Sequence, residues 1–255
     1  MKRKPKFFNL ALMFMVLFGA LGFFPSPVEA TIGTLTPGDV AVILMNTDNP
    51  DAIAFVALAD LPAGEEIVFT DSGWYAAGGF RVTEGAISYT VPSGGLPAGT
   101  IVYRENPFDS GEWDVSTGLG FSGSFSLSTS GDQVIVFQGD TTTYSLIYAV
   151  NGDGSAVWQA DATSSNNSAL PTGLIDGDTA VAVSEADNIR LNCAENHTGS
   201  KSELLAYISN SANWVGNSST RQSVDPSCSF TVTGGETPEP KINEFVADHN
   251  GSDIY

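Results

Sequence analysis

The chain of 255 residues carries 10 Lys and Arg against 29 Asp and Glu, a formal net charge of −19, with 42% hydrophobic and only 15% charged residues. That apolar content excludes a disordered acidic tail, the shortage of cations excludes a face that grips nucleic acid, and five lysines cannot furnish a helical bundle. An acidic, β-rich, turn-rich chain is left.

Taken in order, Met1 to Lys6 is cationic, Phe7 to Phe24 is nearly unbroken apolar sequence, and Pro25 and Pro27 break the run before Val28-Glu29-Ala30. This is the pattern of a secretory signal cleaved after Ala30. An uncleaved anchor is the alternative, since the run approaches the length of a membrane span. The two prolines and the small residue at the cut favour cleavage. The protein is therefore expected outside the cell. Its mature part then holds 6 cations and 28 carboxylates, a charge of −22. Such a surface repels phosphate backbones and attracts divalent cations, so no direct nucleic-acid partner is expected.

Strands are predicted along most of the remainder. Val40–Met45 and Ile53–Leu58 are continuous apolar runs, and Leu61-Pro62-Ala63-Gly64 turns into Ile67–Phe69. Ile87–Val91 alternates apolar and polar residues as a half-buried strand does, and a second Leu-Pro-Ala-Gly turn, at 96–99, leads into Ile101–Tyr103. Phe125–Leu127 and Val134–Phe137 flank a hairpin-length connection, and Leu146–Val150, Ala180–Val183 and Phe230–Val232 complete ten strands. No helical segment separates the early strands, so mostly antiparallel sheets are expected. The predicted fold is all-β: an antiparallel sandwich over residues 31–233 with one short helix.

That helix is announced by Ser200-Lys201-Ser202-Glu203, a capping box, followed by Leu204, Leu205 and Ile208 on one face. Trp214, just beyond, is expected to cover the sandwich edge. The only cysteines are Cys193 and Cys228, one on each side of the helix. In an oxidising compartment they are expected to pair, because a thiol nucleophile needs a free cysteine and a metal site needs more ligands.

Residues 234–240, with two prolines and no apolar anchor, read as a linker, and Ile242–Val246 starts a new strand. Lys241 to Tyr255, through Ile242-Asn243-Glu244-Phe245, resembles the opening of bacterial lamin-tail domains, whose I-N-E strand begins an immunoglobulin-like sandwich. Thr70-Asp71-Ser72-Gly73-Trp74 and the stretch from Leu127 to Ile135 look like turn-and-strand phrases of the same group of exported modules. The resemblance implies an immunoglobulin/lamin-tail-like sandwich, followed by the truncated first strand of a second one. It also implies a secreted multidomain parent, in which such modules often accompany nuclease or phosphodiesterase domains. It assigns no catalytic residue.

Chemistry is sparse. His197 and His249 are the only histidines, and Gly120–Ser124 lacks the final glycine of a nucleophile elbow. Paired carboxylates remain open, with no reason in the sequence to choose a pair. Asn46, Asp48, Asn49 and Asp51 offer four oxygen-bearing side chains within six residues, a candidate calcium loop, and Asn151–Gly154 and Asp176–Asp178 offer two each. The same residues dominate ordinary turns, so plain turns compete with calcium at each site. Trp74, Tyr75, Trp113 and Trp158 lie in or beside glycine-rich loops and are candidates for stacking on a sugar, against the alternative that they plug the ends of the sandwich. The expected function is a non-catalytic exported binding or spacer module, its partners being downstream domains of the same polypeptide and an extracellular glycan or protein. The alternatives are the front part of a secreted nuclease or phosphoesterase whose catalytic domain lies beyond residue 255, and a carbohydrate-binding module.

Overall fold

A computed structural model describes residues 33–234. The segment 1–30 expected to be a signal, residues 235–240 of the expected linker, and the stretch 241–255 expected to begin a second sandwich lie outside the described residues.

Nearly every predicted strand forms. A five-stranded antiparallel sheet is built from β1 (Val40–Asn46), β2 (Ala52–Ala57), β5 (Ile101–Glu105), β10 (Asn188–Leu191) and β12 (Trp214–Asn217), in the order β12-β10-β1-β2-β5. A six-stranded sheet in the order β6-β4-β3-β7-β8-β9 takes β3 (Glu66–Thr70), β4 (Ala86–Thr90), β6 (Trp113–Val115), β7 (Gln133–Gly139), β8 (Tyr144–Asn151) and β9 (Ala180–Ala182). β11 (Asn196–Gly199) and β13 (Ser229–Val232) form a small separate ribbon. The fold is an all-β sandwich.

The inner face of the six-stranded sheet presents Ile67, Phe69, Ile87, Tyr89, Val134 and Val136 to the main core. Phe55 of β2 reaches across from the other sheet, its ring 5.3 Å from both Phe69 and Tyr89. The outer face is also covered. Val68, Ile135, Phe137 and Ala149 alternate with the inner set and bury under Trp74, Phe80 and Leu174, which belong to long loops. This third layer explains why β7 reads Val-Ile-Val-Phe rather than alternating: both faces of the strand exclude water. A bulge in β8 lies opposite Val136 and Phe137 and puts Ile147 and Tyr148 on the same core. The Ile147 carbonyl then accepts the Gly38 amide at 2.9 Å, joining the start of β1 to the opposite sheet.

The helix α1 (Lys201–Ile208) starts as its sequence dictates: Ser200 accepts from the Glu203 amide, Glu203 accepts from the Ser200 amide, and Leu204, Leu205 and Ile208 are buried. Ser209 ends it and bonds the Tyr148 hydroxyl of β8 and the Asp178 carbonyl. Trp214 is buried, its indole donating to the Ile208 carbonyl at 2.7 Å. Cys193 and Cys228 are bonded, 35 positions apart, and enclose β11, α1 and β12. A closed loop of that length stabilises the fold by about 4 kcal/mol in the chain-entropy description. The bond suits an oxidising environment of the extracellular type.

Three details depart from expectation. Phe125–Leu127 is not a strand. The strands β6, β10, β11 and β12, short and rich in polar residues, carry no apolar run that announces them. Two pairings, β8 with β9 and β11 with β13, are parallel, each made possible by a long excursion between its strands.

Candidate functional site

The segment expected to be a strand lies at a meeting of carboxylates. Asp51 sits in the β1–β2 loop, Asp71 directly after β3, and Asp132 directly before β7. Their side chains take the amides of three successive residues: Ser126 donates to Asp71 at 2.7 Å, Leu127 to Asp51 at 2.9 Å and Ser128 to Asp132 at 2.7 Å. Amides that a neighbouring strand would otherwise satisfy are satisfied by acids from both sheets. The segment therefore runs as a strap tying one sheet to the other. Asp71 also accepts from Gly85 at 3.0 Å, and Asp132 from the Gln133 amide at 2.8 Å. The Gln133 side chain, fully buried, donates to the Asp71 carbonyl, Asp132 and the Ser165 carbonyl.

Burial dominates the electrostatics here. Asp71 is wholly enclosed, and desolvation lifts its carboxyl to about 7 against the pull of the Ser126 and Gly85 amides. Glu84, facing Asp71, is lifted to about 8 by burial first and by the Asp71 charge second; Arg81, at 3.9 Å, opposes this. Asp132 is raised by burial and then by Asp71. Asp51 is raised by burial, with the Leu127 amide and Arg221 acting the other way. Of the four, Glu84 accepts no hydrogen bond at its buried Oε2. A carboxylic acid that keeps its proton near neutrality is one ingredient of acid catalysis. In this knot, however, Asp51, Asp71 and Asp132 are spent on holding backbone.

The sequence-predicted calcium loop does not assemble as a cation cage. Asn46 is buried and engages Gln222 twice, donating to its carbonyl at 2.8 Å and accepting its amide at 3.0 Å. Asp48 accepts from the Asn188 side chain, Asp51 from Leu127, and Asn49 is exposed. The loop carbonyls of Asp48 and Pro50 both accept from the guanidinium of Arg221, which also pairs with Glu105 at 2.7 Å. A cation already serves this loop, and it is a side chain. The residues present do not fit a calcium ion, and among the described residues no three His, Cys, Asp or Glu side chains are placed to hold a metal. The loop Asn151–Gly154 is tied internally through Gln159, and Asp176 accepts the Trp158 indole at 3.0 Å.

The aromatic candidates divide. Trp74 is 1% exposed and Trp113 5%, so neither presents a ring to a ligand. Trp74 packs edge-on to Phe80 and Tyr144 in the outer core, and Trp113 lies against Phe69 and Tyr89 in the inner one. The glycine-rich loop around Trp74 looked like a surface because the layer that covers it is itself loop. Tyr75 is 39% exposed, and Trp158 is half-buried at the rim of the outer core. His197 stacks on Tyr207 at 4.0 Å. The carboxylate strap escaped sequence reasoning, because its acids lie far apart in the chain and each looks like an ordinary turn residue.

Comparison of the chain with protein-family models, with curated proteins and with solved structures finds no match in any of the three.

Proposed function

We propose that the described residues are a non-catalytic binding or spacer module of an exported multidomain protein. The observation that carries this is how the chemically capable side chains are used. Asp51, Asp71 and Asp132 hold the amides of Ser126 to Ser128, Cys193 is bonded to Cys228, and Arg221 fills the β1–β2 loop. Groups committed to backbone in the resting fold cannot also move protons or coordinate substrate without unfolding their surroundings. The cationic and apolar leader supports export, and the lamin-tail-like stretch after the linker supports a multidomain parent.

The test is turnover by the full chain on single- and double-stranded DNA, a phosphodiester ester and a panel of polysaccharides. We expect none above buffer. Hydrolysis that disappears in Glu84→Gln, the variant least damaging to the strap, would overturn the reading and place catalysis at the acidic knot.

A further inference from the structure

The five-stranded sheet ends at β5, whose outer edge pairs with no strand among the described residues. Its register with β2 runs unbroken from Ala52 opposite Glu105 to Val56 opposite Ile101, with no bulge. Asn106 donates to the Asp51 carbonyl at 2.8 Å and the Thr100 carbonyl accepts the Ala57 amide at 3.0 Å, so the even-numbered residues turn to β2. Ile101, Tyr103 and Glu105 therefore turn their amides and carbonyls outwards, where they have no main-chain partner among the described residues. Tyr103 is 46% exposed, and Glu105 is exposed as well. A flat, open edge of this kind is a template for another strand.

The side chains of β5 say what such a strand must bring. Opposite residues of an antiparallel pair share a face, so Val102 and Arg104 lie with Phe55 and Ile53 on the core side, and Tyr103 lies with Ala54 on the other. Arg104 donates only to neutral oxygens, the Pro107 carbonyl and the Ser110 hydroxyl. Arg81, Lys201 and Arg221 pair with carboxylates, whereas Arg104 pairs with none among the described residues. In a chain with 29 acids against 10 cations, an arginine on an open edge without an acid is placed to receive one.

The chain itself supplies that acid. β13 crosses the turn that opens β5, so closely that a Cβ on Gly99 would lie 2.3 Å from the Phe230 carbonyl oxygen. The last described residues, Val232 to Gly234, then line a cavity of about 680 Å³ together with Ala98. The polypeptide thus leaves the sandwich at the head of β5. The next residues, 235–241, contain two prolines and span about 22 Å when extended. A five-residue strand is roughly 17 Å long, so they can carry the chain to the far end of β5. Ile242-Asn243-Glu244-Phe245-Val246 follows. Running back antiparallel, it sets Glu244 beside Arg104, Phe245 beside Tyr103 and Val246 beside Val102, which gives an opposite-charge pair, an aromatic pair and an aliphatic pair. A second copy fits less well. Two β5 strands paired about Tyr103 set Arg104 against Val102 and join two strongly acidic molecules. A tethered strand also needs little intrinsic affinity, because its local concentration is about millimolar.

We infer that residues 242–246 of this chain add as a sixth strand to the free edge of β5, antiparallel to it, with Glu244 on Arg104 and Phe245 on Tyr103. This goes beyond the binding or spacer reading by naming a partner, the polypeptide that follows the module.

The test is residue-resolved hydrogen exchange on the full chain. The amides of Ile101, Tyr103 and Glu105 should exchange at least tenfold more slowly than in Phe245→Pro, which removes a strand donor and the aromatic partner. Glu244→Arg should speed their exchange at least threefold, and adding Arg104→Glu should restore the protection. Phe245 and Glu244 both lie outside the described sandwich, so unchanged exchange along β8 reports that the fold is intact in their variants. Equal exchange in the unaltered chain and Phe245→Pro would overturn the inference, as would protection indifferent to Glu244→Arg. Protection that grows with protein concentration, with a dimer in sedimentation, would overturn it too, because the occupant would then be a second copy. Turnover of a substrate, by contrast, would refute the non-catalytic module and leave this contact standing.

Discussion

The carboxylate of Asp71 accepts the amide proton of Ser126 at 2.7 Å across 55 positions of sequence. With its neighbours at Asp51 and Asp132, this bond replaces a strand pairing by three side chain–backbone contacts and draws a loop into the seam between the sheets. Replacing Asp71 by Ala leaves the Ser126 and Gly85 amides without acceptors in a dry site, at a cost of about 2–4 kcal/mol. Hydrogen exchange is expected to accelerate at those two amides more than at the β7 amides, which the ladder with β8 continues to hold.

The same knot sets a pH dependence. Asp71 and Glu84 keep protons in the fold up to about pH 7 and 8, respectively, whereas the unfolded chain releases them near pH 4. The folded state therefore binds more protons across that window, and this contribution to stability is complete below pH 4 and lost as pH rises through 7 and 8. Thermal melts should show a lower midpoint at pH 9 than at pH 6. Glu84→Gln removes a buried charge whose Oε2 has no hydrogen-bond partner. It should raise the midpoint at pH 9 by roughly 2–8 °C, the effect of about 1–2 kcal/mol in a domain of this size, and change it little at pH 5. An equal shift at both pH values would argue against ionisation as the cause.

Reduction of the Cys193–Cys228 bond, or the double replacement by Ala, should destabilise the fold by about 4 kcal/mol. The midpoint should fall by roughly 8–16 °C, compared between oxidised and dithiothreitol-treated protein. Strands of the six-stranded sheet lie outside the closed loop, so exchange protection should be lost first in α1, β11 and β12.

Arg221 acts where a metal ion was expected from the sequence. Chelator should leave the melting midpoint unchanged, and millimolar calcium should not raise it. Arg221→Met leaves the carbonyls of Asp48 and Pro50 without their donor and Glu105 without its partner, costing about 1–3 kcal/mol. Restoration of the variant's midpoint by calcium would revive the cage reading for this loop.

What was legible in the sequence was local or periodic. The capping box at Ser200 and Glu203 lies within one turn, and β1, β2, β7 and β8 are written as apolar runs because water is excluded from both their faces. What was hidden depends on partners far away in the chain. Phe125–Leu127 has strand composition, yet acids from positions 51, 71 and 132 claim the amides of the strap. β11, reading Asn-His-Thr-Gly, is a strand only because β13 lies beside it. Trp74 stood among turn residues, and its burial follows from loops that no periodicity describes.

The sulfur link has a topological outcome. Everything from residue 193 to residue 228 forms a covalent ring, and β12, the outermost member of its sheet, hangs on that ring together with α1. A protease that cuts a single peptide bond on this stretch cannot set free either fragment, so a nicked molecule travels as one piece on a non-reducing gel and parts in two only when reductant is added.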